Sequence, residues 1–187
     1  MENLNQNKYT KIHRALHWAM ALAMIVLLCT GFLRLEWMSK QSVIEAIQGR
    51  EIEMSKDEMV GIYKSLRNPM WQWHIYAAYL MISSFILRII YMIVKGIRFP
   101  NPFSNTNSFK DRFQGAIYIL FYLFILEATI TGSYIRWIDG SLKDQMEEIH
   151  KLGIYIFPSL ILIHLGGIFL AEVFYKKGVV SKMIGGK

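Results

Sequence analysis

The chain has 187 residues, 53% of them hydrophobic and 19% charged, with a mean hydropathy of +0.27 and a net charge of +7. The charged share is below the quarter or so usual for soluble domains, and the apolar excess is gathered into long runs, which argues against a water-soluble globular protein. The single Cys29 excludes an internal disulfide, a CxxC redox pair and covalent haem attachment through CxxCH.

Nothing before residue 13 resembles a cleaved leader. The first apolar stretch lacks a small-residue cleavage site and is followed by Arg34 and Glu36, so it reads as a retained span. A helix needs roughly 20 apolar residues to cross a hydrocarbon core about 30 Å thick. Four segments reach that length: about Ile12 to Leu33, Trp71 to Val94, Phe113 to Ile135 and Leu152 to Tyr175. Unsatisfied backbone groups in lipid leave helix as the only reasonable state for runs this long. The fold class expected is an all-α integral membrane protein, a four-transmembrane-helix bundle forming one membrane domain over residues 1–187.

Between the first two spans lies a long connection, residues 34–70. It contains two short helical patterns separated by Gly49, with Ser39, Ser55 and Asp57 placed as caps. A small cap or interfacial helix is expected there, with Ile44, Ile47, Met59 and Ile62 available for docking.

Four spans put both termini on one side. The terminal segments and the 95–112 loop carry eleven Lys and Arg against Glu2 and Asp111, a net of +9, whereas the two opposite loops carry nine bases and ten acids, a net of −1. Positive residues mark the cytoplasmic face, so both termini are expected inside, in a bacterial cytoplasmic (inner) membrane. The basic charge is then topological and attracts anionic lipid; it is weak evidence for nucleic acid.

Five histidines remain to be explained. His13 and His17 stand at the inner start of the first span, His74 at the outer start of the second and His150 at the outer start of the fourth. His164 lies fourteen residues further in. Fourteen residues are about 21 Å of helix and leave the two side chains roughly 40° apart, on one face at two depths. Depth pairs His74 with His150 and His17 with His164, and two imidazoles on facing helices are what a six-coordinate haem iron requires. Each histidine alone has a structural reading as an interfacial or interhelix hydrogen-bonding group, which is preferred for His13. Zinc and copper also take imidazole, but no cysteine or carboxylate set accompanies either level.

Small residues at Gly31, Gly132, Gly153, Gly166 and Gly167 allow close approach of a flat ring or, equally, of another helix. Pro158 stands between the fourth-span histidines and can kink that helix. Arg88 lies fourteen residues after His74, near the inner level. Arg14 lies at the inner surface. Both are placed to bind a haem propionate, or else to snorkel to headgroups or mark topology. Glu127 falls about halfway along the third span, where it has three readings: an ion pair with Arg88, a neutral hydrogen-bonding acid, or a proton relay to a quinone. Glu172 is read as snorkelling or pairing with Lys176 at i+4.

At these residues the chain resembles the bacterial cytochrome b561 family, and also the b-type cytochrome subunits of nickel-iron hydrogenases and formate dehydrogenases. The matching features are Arg14-Ala-Leu-His17-Trp18, Thr30-Gly31 at the far end of the same span, His150-x-x-Gly153 and His164-x-x-Gly167. The resemblance implies a four-helix di-haem cytochrome exchanging electrons with the quinone pool. It implies His17 and His164 as ligands of one haem b and His74 and His150 as ligands of the other. Ala78 stands where some relatives have glycine, and the 34–70 connection is longer than a minimal member requires.

The expected function is membrane electron transfer through two b-type haems, between menaquinone or ubiquinone and a redox partner. A second reading makes the chain the cytochrome b anchor of a periplasmic dehydrogenase or reductase. A third, from a different class, is a haem-free membrane anchor or small transporter using Arg88 and Glu127 as a buried pair. Partners are membrane lipid, quinone, a periplasmic redox protein or dehydrogenase subunit, and a second copy in a homodimer.

Overall fold

A computed structural model describes residues 10–50, 53–175 and 178–185. Its seven α-helices among the described residues are α1 (Lys11–Phe32), α2 (Lys40–Gln48), α3 (Lys56–Lys95), α4 (Phe109–Trp137), α5 (Lys143–Lys151), α6 (Gly153–Leu170) and α7 (Val179–Ile184). No strand occurs among the described residues. Five-residue π-helical turns extend α1 over Leu33–Trp37 and α6 over Ala171–Tyr175.

Among the described residues four stretches are long and apolar enough to cross a membrane: Lys11–Trp37, Lys56–Lys95, Phe109–Trp137 and Lys143–Phe174. Their large side chains are mostly exposed, with Ile93 at 75%, Leu162 at 70% and Phe169 at 64%. Soluble proteins do not leave contiguous apolar surface of this extent in water, so lipid is the natural solvent for these faces.

The second span differs in length from its expected limits. α3 begins at Lys56 and runs 40 residues through Pro69, merging the second short helical pattern with the span itself. At about 1.5 Å per residue it is roughly 60 Å long, twice the thickness of a hydrocarbon core. The helix survives Pro69 because proline's fixed φ suits it and only one backbone bond, to the carbonyl of Ser65, is forfeited. Ser65, Asn68 and Pro69 are exposed, so water can take up that carbonyl.

By its contacts the chain divides into two compact units, Ala19–Ser84 and Met1–Trp18 with Phe85–Lys187. In the first, Ser39 caps α2 by accepting from the Ser42 N–H at 3.1 Å, and α2 ends at Gly49. Ser55 and Glu58 form a capping box: the Glu58 carboxylate accepts from the Ser55 N–H at 2.9 Å, and the Ser55 hydroxyl accepts from the Glu58 N–H at 3.3 Å. Met59 is buried while Ile62 is exposed. Met20, Ala23, Met24, Ala77 and Met81 are the other buried apolar residues of this unit. Methionine suits such a core, since its unbranched chain fills irregular gaps.

In the other unit, α3 ends in a Schellman turn. Gly96 takes φ +64°, the Ile97 N–H donates to the Met92 carbonyl at 2.9 Å and the Gly96 N–H to that of Ile93 at 3.2 Å. The loop then folds back on α4. Arg112 Nε donates to the Pro102 carbonyl at 3.0 Å, and Gly115 lies so close to Pro100 that a Cβ there would collide with its carbonyl oxygen. Ser108 caps α4 by accepting from the Asp111 N–H at 3.2 Å.

The fourth span is divided at Leu152, whose N–H donates to Ile149 in a tightened turn between α5 and α6. His150 therefore sits in the last turn of α5. Pro158 is accommodated within α6. α7, not anticipated from sequence, is tied at both ends. Glu172 accepts from the Gly178 and Val180 N–H groups at 2.7 and 3.2 Å, and Arg14 and Trp18 donate to the carbonyls of Ile184 and Met183 at 2.9 and 3.3 Å. Glu172 thus caps a helix; Lys176, its expected partner, lies outside the described residues.

Candidate functional site

The first turns of α1 place His13, Arg14 and His17 one turn or less apart, and α6 carries His164. The His17 and His164 rings are 6.4 Å apart centre to centre, with planes inclined at 50°. Metal–imidazole bonds are about 2 Å and a ring centre lies about 1.2 Å beyond its nitrogen, so two axial imidazoles on one iron stand roughly 6.4 Å apart. Their planes are free to rotate about that axis, so a 50° inclination is compatible. The Phe121 ring stands edge-on to His164 at 5.6 Å and Trp18 edge-on to His17 at 5.7 Å, giving the pair apolar walls.

Two cations accompany this pair. One is Arg88, from the same unit as His17 and His164. Its Nε donates to the Tyr122 hydroxyl at 2.9 Å, and that hydroxyl donates to Met92 Sδ at 3.2 Å. Arg88 Nη1 and Arg14 Nε are buried without a hydrogen-bond partner among the described residues. A buried guanidinium nitrogen without an acceptor is costly, and a carboxylate such as a propionate is the ligand chemistry that would satisfy it. The residues at this level therefore fit haem: a correctly spaced imidazole pair, apolar walls and two unmatched cationic donors. The His13 ring stands edge-on to Tyr91 at 6.2 Å.

His74 and His150 belong to different units. His74 lies flat against Trp71, with ring centres 5.4 Å apart and planes within 1°, and the guanidinium carbon of Arg34 lies 5.0 Å from the centre of the Trp71 ring. Its Nδ1 is 2.8 Å from the hydroxyl of Thr30, which donates to the Val26 carbonyl at 2.7 Å. His150 Nδ1 is 2.9 Å from the hydroxyl of Thr131, which donates to the Glu127 carbonyl at 2.9 Å. Gly132 lies directly against the His150 ring, since a Cβ there would stand 3.1 Å from Cε1.

Glu127 meets the Thr131 hydroxyl through Oε1 at 3.3 Å. Among the described residues no ion pair joins it to Arg88, whose guanidinium turns to Tyr122 instead. Gly153 lies in ordinary contact with Phe124, and among the described residues nothing lies within 4 Å of where a Cβ would stand on Gly31, Gly166 or Gly167. The sequence reading passed over Thr131, Tyr122 and Trp71. The repeated Thr-Gly dipeptide, Thr30-Gly31 and Thr131-Gly132, was the signal that would have found the first. No group of three or more His, Cys, Asp or Glu side chains gathers to hold a bare metal ion among the described residues. An imidazole pair such as His17 and His164 suits an iron whose other four positions a porphyrin fills, and suits zinc poorly.

No curated protein and no solved structure matches the chain. The family described as prokaryotic cytochrome b561 matches residues 8–186, essentially the whole length. Four apolar spans and a haem-compatible imidazole pair agree with that match, and the chain belongs to the prokaryotic cytochrome b561 family, helical-bundle membrane proteins that transfer electrons through b-type haem.

Proposed function

We propose that this chain carries electrons across the cytoplasmic membrane between the quinone pool and a redox partner, holding two haems b. His17 and His164 ligate the inner one, and His74 and His150 the outer one. Haem, when bound, supplies the one-electron redox chemistry; the chain supplies ligands, orientation and a dry, low-dielectric setting. The observation that carries the reading is the 6.4 Å spacing of the His17 and His164 rings beside the unmatched donors of Arg14 and Arg88. Those two arginines hold propionate at the inner level. Pairing of His74 with His150 rests on their common depth in the sequence, with termini inside as the charge asymmetry requires. Bis-histidine ligation leaves no open iron position, so the role is electron transfer and not oxygen chemistry.

Glu127 is the acid we assign to proton exchange accompanying quinone chemistry, supported by its place within α4 and its contact with Thr131 rather than with a cation. A soluble partner at the outer face is favoured by α2 and the first turns of α3, which lengthen that helix well past a hydrocarbon core. Such a partner would make the chain an anchor subunit, and copurification of an iron-sulfur or c-type cytochrome protein would identify that arrangement.

Pyridine haemochrome stoichiometry on purified protein is the primary test, with a value near two expected. His17→Ala and His164→Ala should lose the same haem, and His74→Ala and His150→Ala the other. Glu127→Gln should slow quinol oxidation with both haems retained. Folded protein without haem, or losses grouped by helix and not by depth, would overturn the reading.

A further inference from the structure

We propose that Thr30 and Thr131 are positioning residues that hold His74 and His150 as the Nδ1–H tautomer, so that Nε2 is the nitrogen each presents to iron. The inference rests on the assignment of these histidines as haem ligands made above.

The argument begins with one hydrogen. A threonine hydroxyl has a single proton and two lone pairs. At Thr30 that proton faces two carbonyl oxygens of its own helix, Val26 at 2.7 Å and Leu27 at 3.1 Å. At Thr131 it faces the carbonyls of Glu127 at 2.9 Å and Ala128 at 3.4 Å and the Glu127 carboxylate at 3.3 Å. The four carbonyls can only accept, and the Glu127 carboxylate accepts whenever it is ionised. Each hydroxyl therefore spends its proton within its own helix and meets the imidazole as an acceptor. The nitrogen opposite it, at 2.8 Å for His74 and 2.9 Å for His150, must then carry the hydrogen. A neutral imidazole protonated at Nδ1 has its lone pair at Nε2. The reverse arrangement would break the back-bond and leave Nε2 protonated, unable to bind iron.

Burial makes the choice firm. Thr30 is 9% and Thr131 4% exposed, among the few buried polar side chains of the described residues. Water has little access to offer either hydroxyl an alternative partner. The dipeptide is also the same on both helices: Thr30-Gly31 and Thr131-Gly132. In α4 the glycine lets the His150 ring lie against the helix beside its threonine. Two copies, one in each unit, arrive at the same threonine–Nδ1 hydrogen bond, and only Gly132 lies against its histidine ring. Among the described residues the inner ligands have no such hydrogen bond; His17 and His164 make ring contacts instead.

An acceptor on Nδ1–H raises the basicity of the ligating nitrogen. A more basic axial ligand favours ferric iron, so Thr30 and Thr131 should hold the outer haem at a lower potential than it would otherwise have. The inner haem should not feel them.

The test uses full-length, haem-loaded protein and the variants Thr30→Val, Thr131→Val, Thr30→Ser and Thr131→Ser. Valine is close to isosteric and removes the hydroxyl; serine keeps it. Redox titration of the reduced α-band and low-spin EPR of the ferric protein are the readouts, with pyridine haemochrome content measured alongside. Each valine variant should raise one of two midpoint potentials and shift the EPR g-values of that haem, leaving the second haem as in wild type. Each serine variant should track wild type. Loss of one haem from a valine variant with retention in its serine counterpart also supports the proposal. Wild-type stoichiometry of two with unmoved valine potentials, or valine and serine variants that change or lose haem alike, would overturn it. Wild-type protein lacking haem would instead remove the functional assignment beneath it.

Discussion

Replacing Gly132 by alanine adds one methyl group at the point where α4 meets the His150 ring. The new Cβ would stand 3.1 Å from Cε1, 3.7 Å from Nδ1 and 3.8 Å from Nε2. Carbon atoms prefer about 3.5–4.0 Å, so ring and helix must separate by a few tenths of an ångström or more. His150 has little freedom to comply. Its Nδ1 is held 2.9 Å from Thr131, the neighbouring residue of the same helix, and a ring pushed away from Gly132 lengthens that bond at once. Overpacking of this kind costs about 1–3 kcal/mol. If the cost falls on the haem-bound state, affinity for the haem that His150 is proposed to ligate drops by a factor of roughly 5 to 150, since each 1.4 kcal/mol is tenfold. Titration of haem into apoprotein, followed by the reduced α-band, measures this directly, and on the proposed two-haem reading the second haem should bind as in wild type. Wild-type affinity at both sites, with unaltered spectra, would refute the reasoning: the His150 ring would then be either movable or unimportant to the cofactor.

Two other substitutions probe the scaffold. Gly115→Ala places a methyl against the Pro100 backbone, which cannot swing aside as a side chain can. The loop from Gly96 to Ser108 should be displaced and thermal stability in detergent should fall by about 1–3 kcal/mol or more, read from Tm shifts; an unchanged Tm would show that the loop yields freely. Glu172→Ala removes the acceptor for the Gly178 and Val180 N–H groups. Loss of such a cap costs roughly 0.5–2 kcal/mol, so amides of Ser181 to Ile184 should exchange faster with little change in haem content, and unchanged protection there would contradict the assigned cap.

Much of the architecture was legible before any coordinates, because lipid makes a simple demand of a chain: long apolar runs must be helical. Ile12 to Leu33, Trp71 to Val94 and Phe113 to Ile135 each lie within a helix, and Ser39 and Ser55 cap as their positions suggested. The nearness of His17 and His164 was equally readable, since depth follows from counting residues at a fixed rise. Apolar length set the start of the second span at Trp71 and gave no sign that the helix already runs through Pro69. In α3 the single forfeited bond lies on an exposed stretch, and the helix continues from Lys56.

What counting along the chain established is which residues share a level, for a helix converts sequence distance into height. It could not say which way a side chain turns once there, because that depends on neighbours distant in sequence. Folding took Arg88 to Tyr122 instead of Glu127, gave Glu172 to the end of α7, and set Thr30 against His74 and Thr131 against His150. Those bonds join residues from 6 to 44 positions apart, and a hydrogen bond tolerates only a few tenths of an ångström. Composition and periodicity carry no information at that scale.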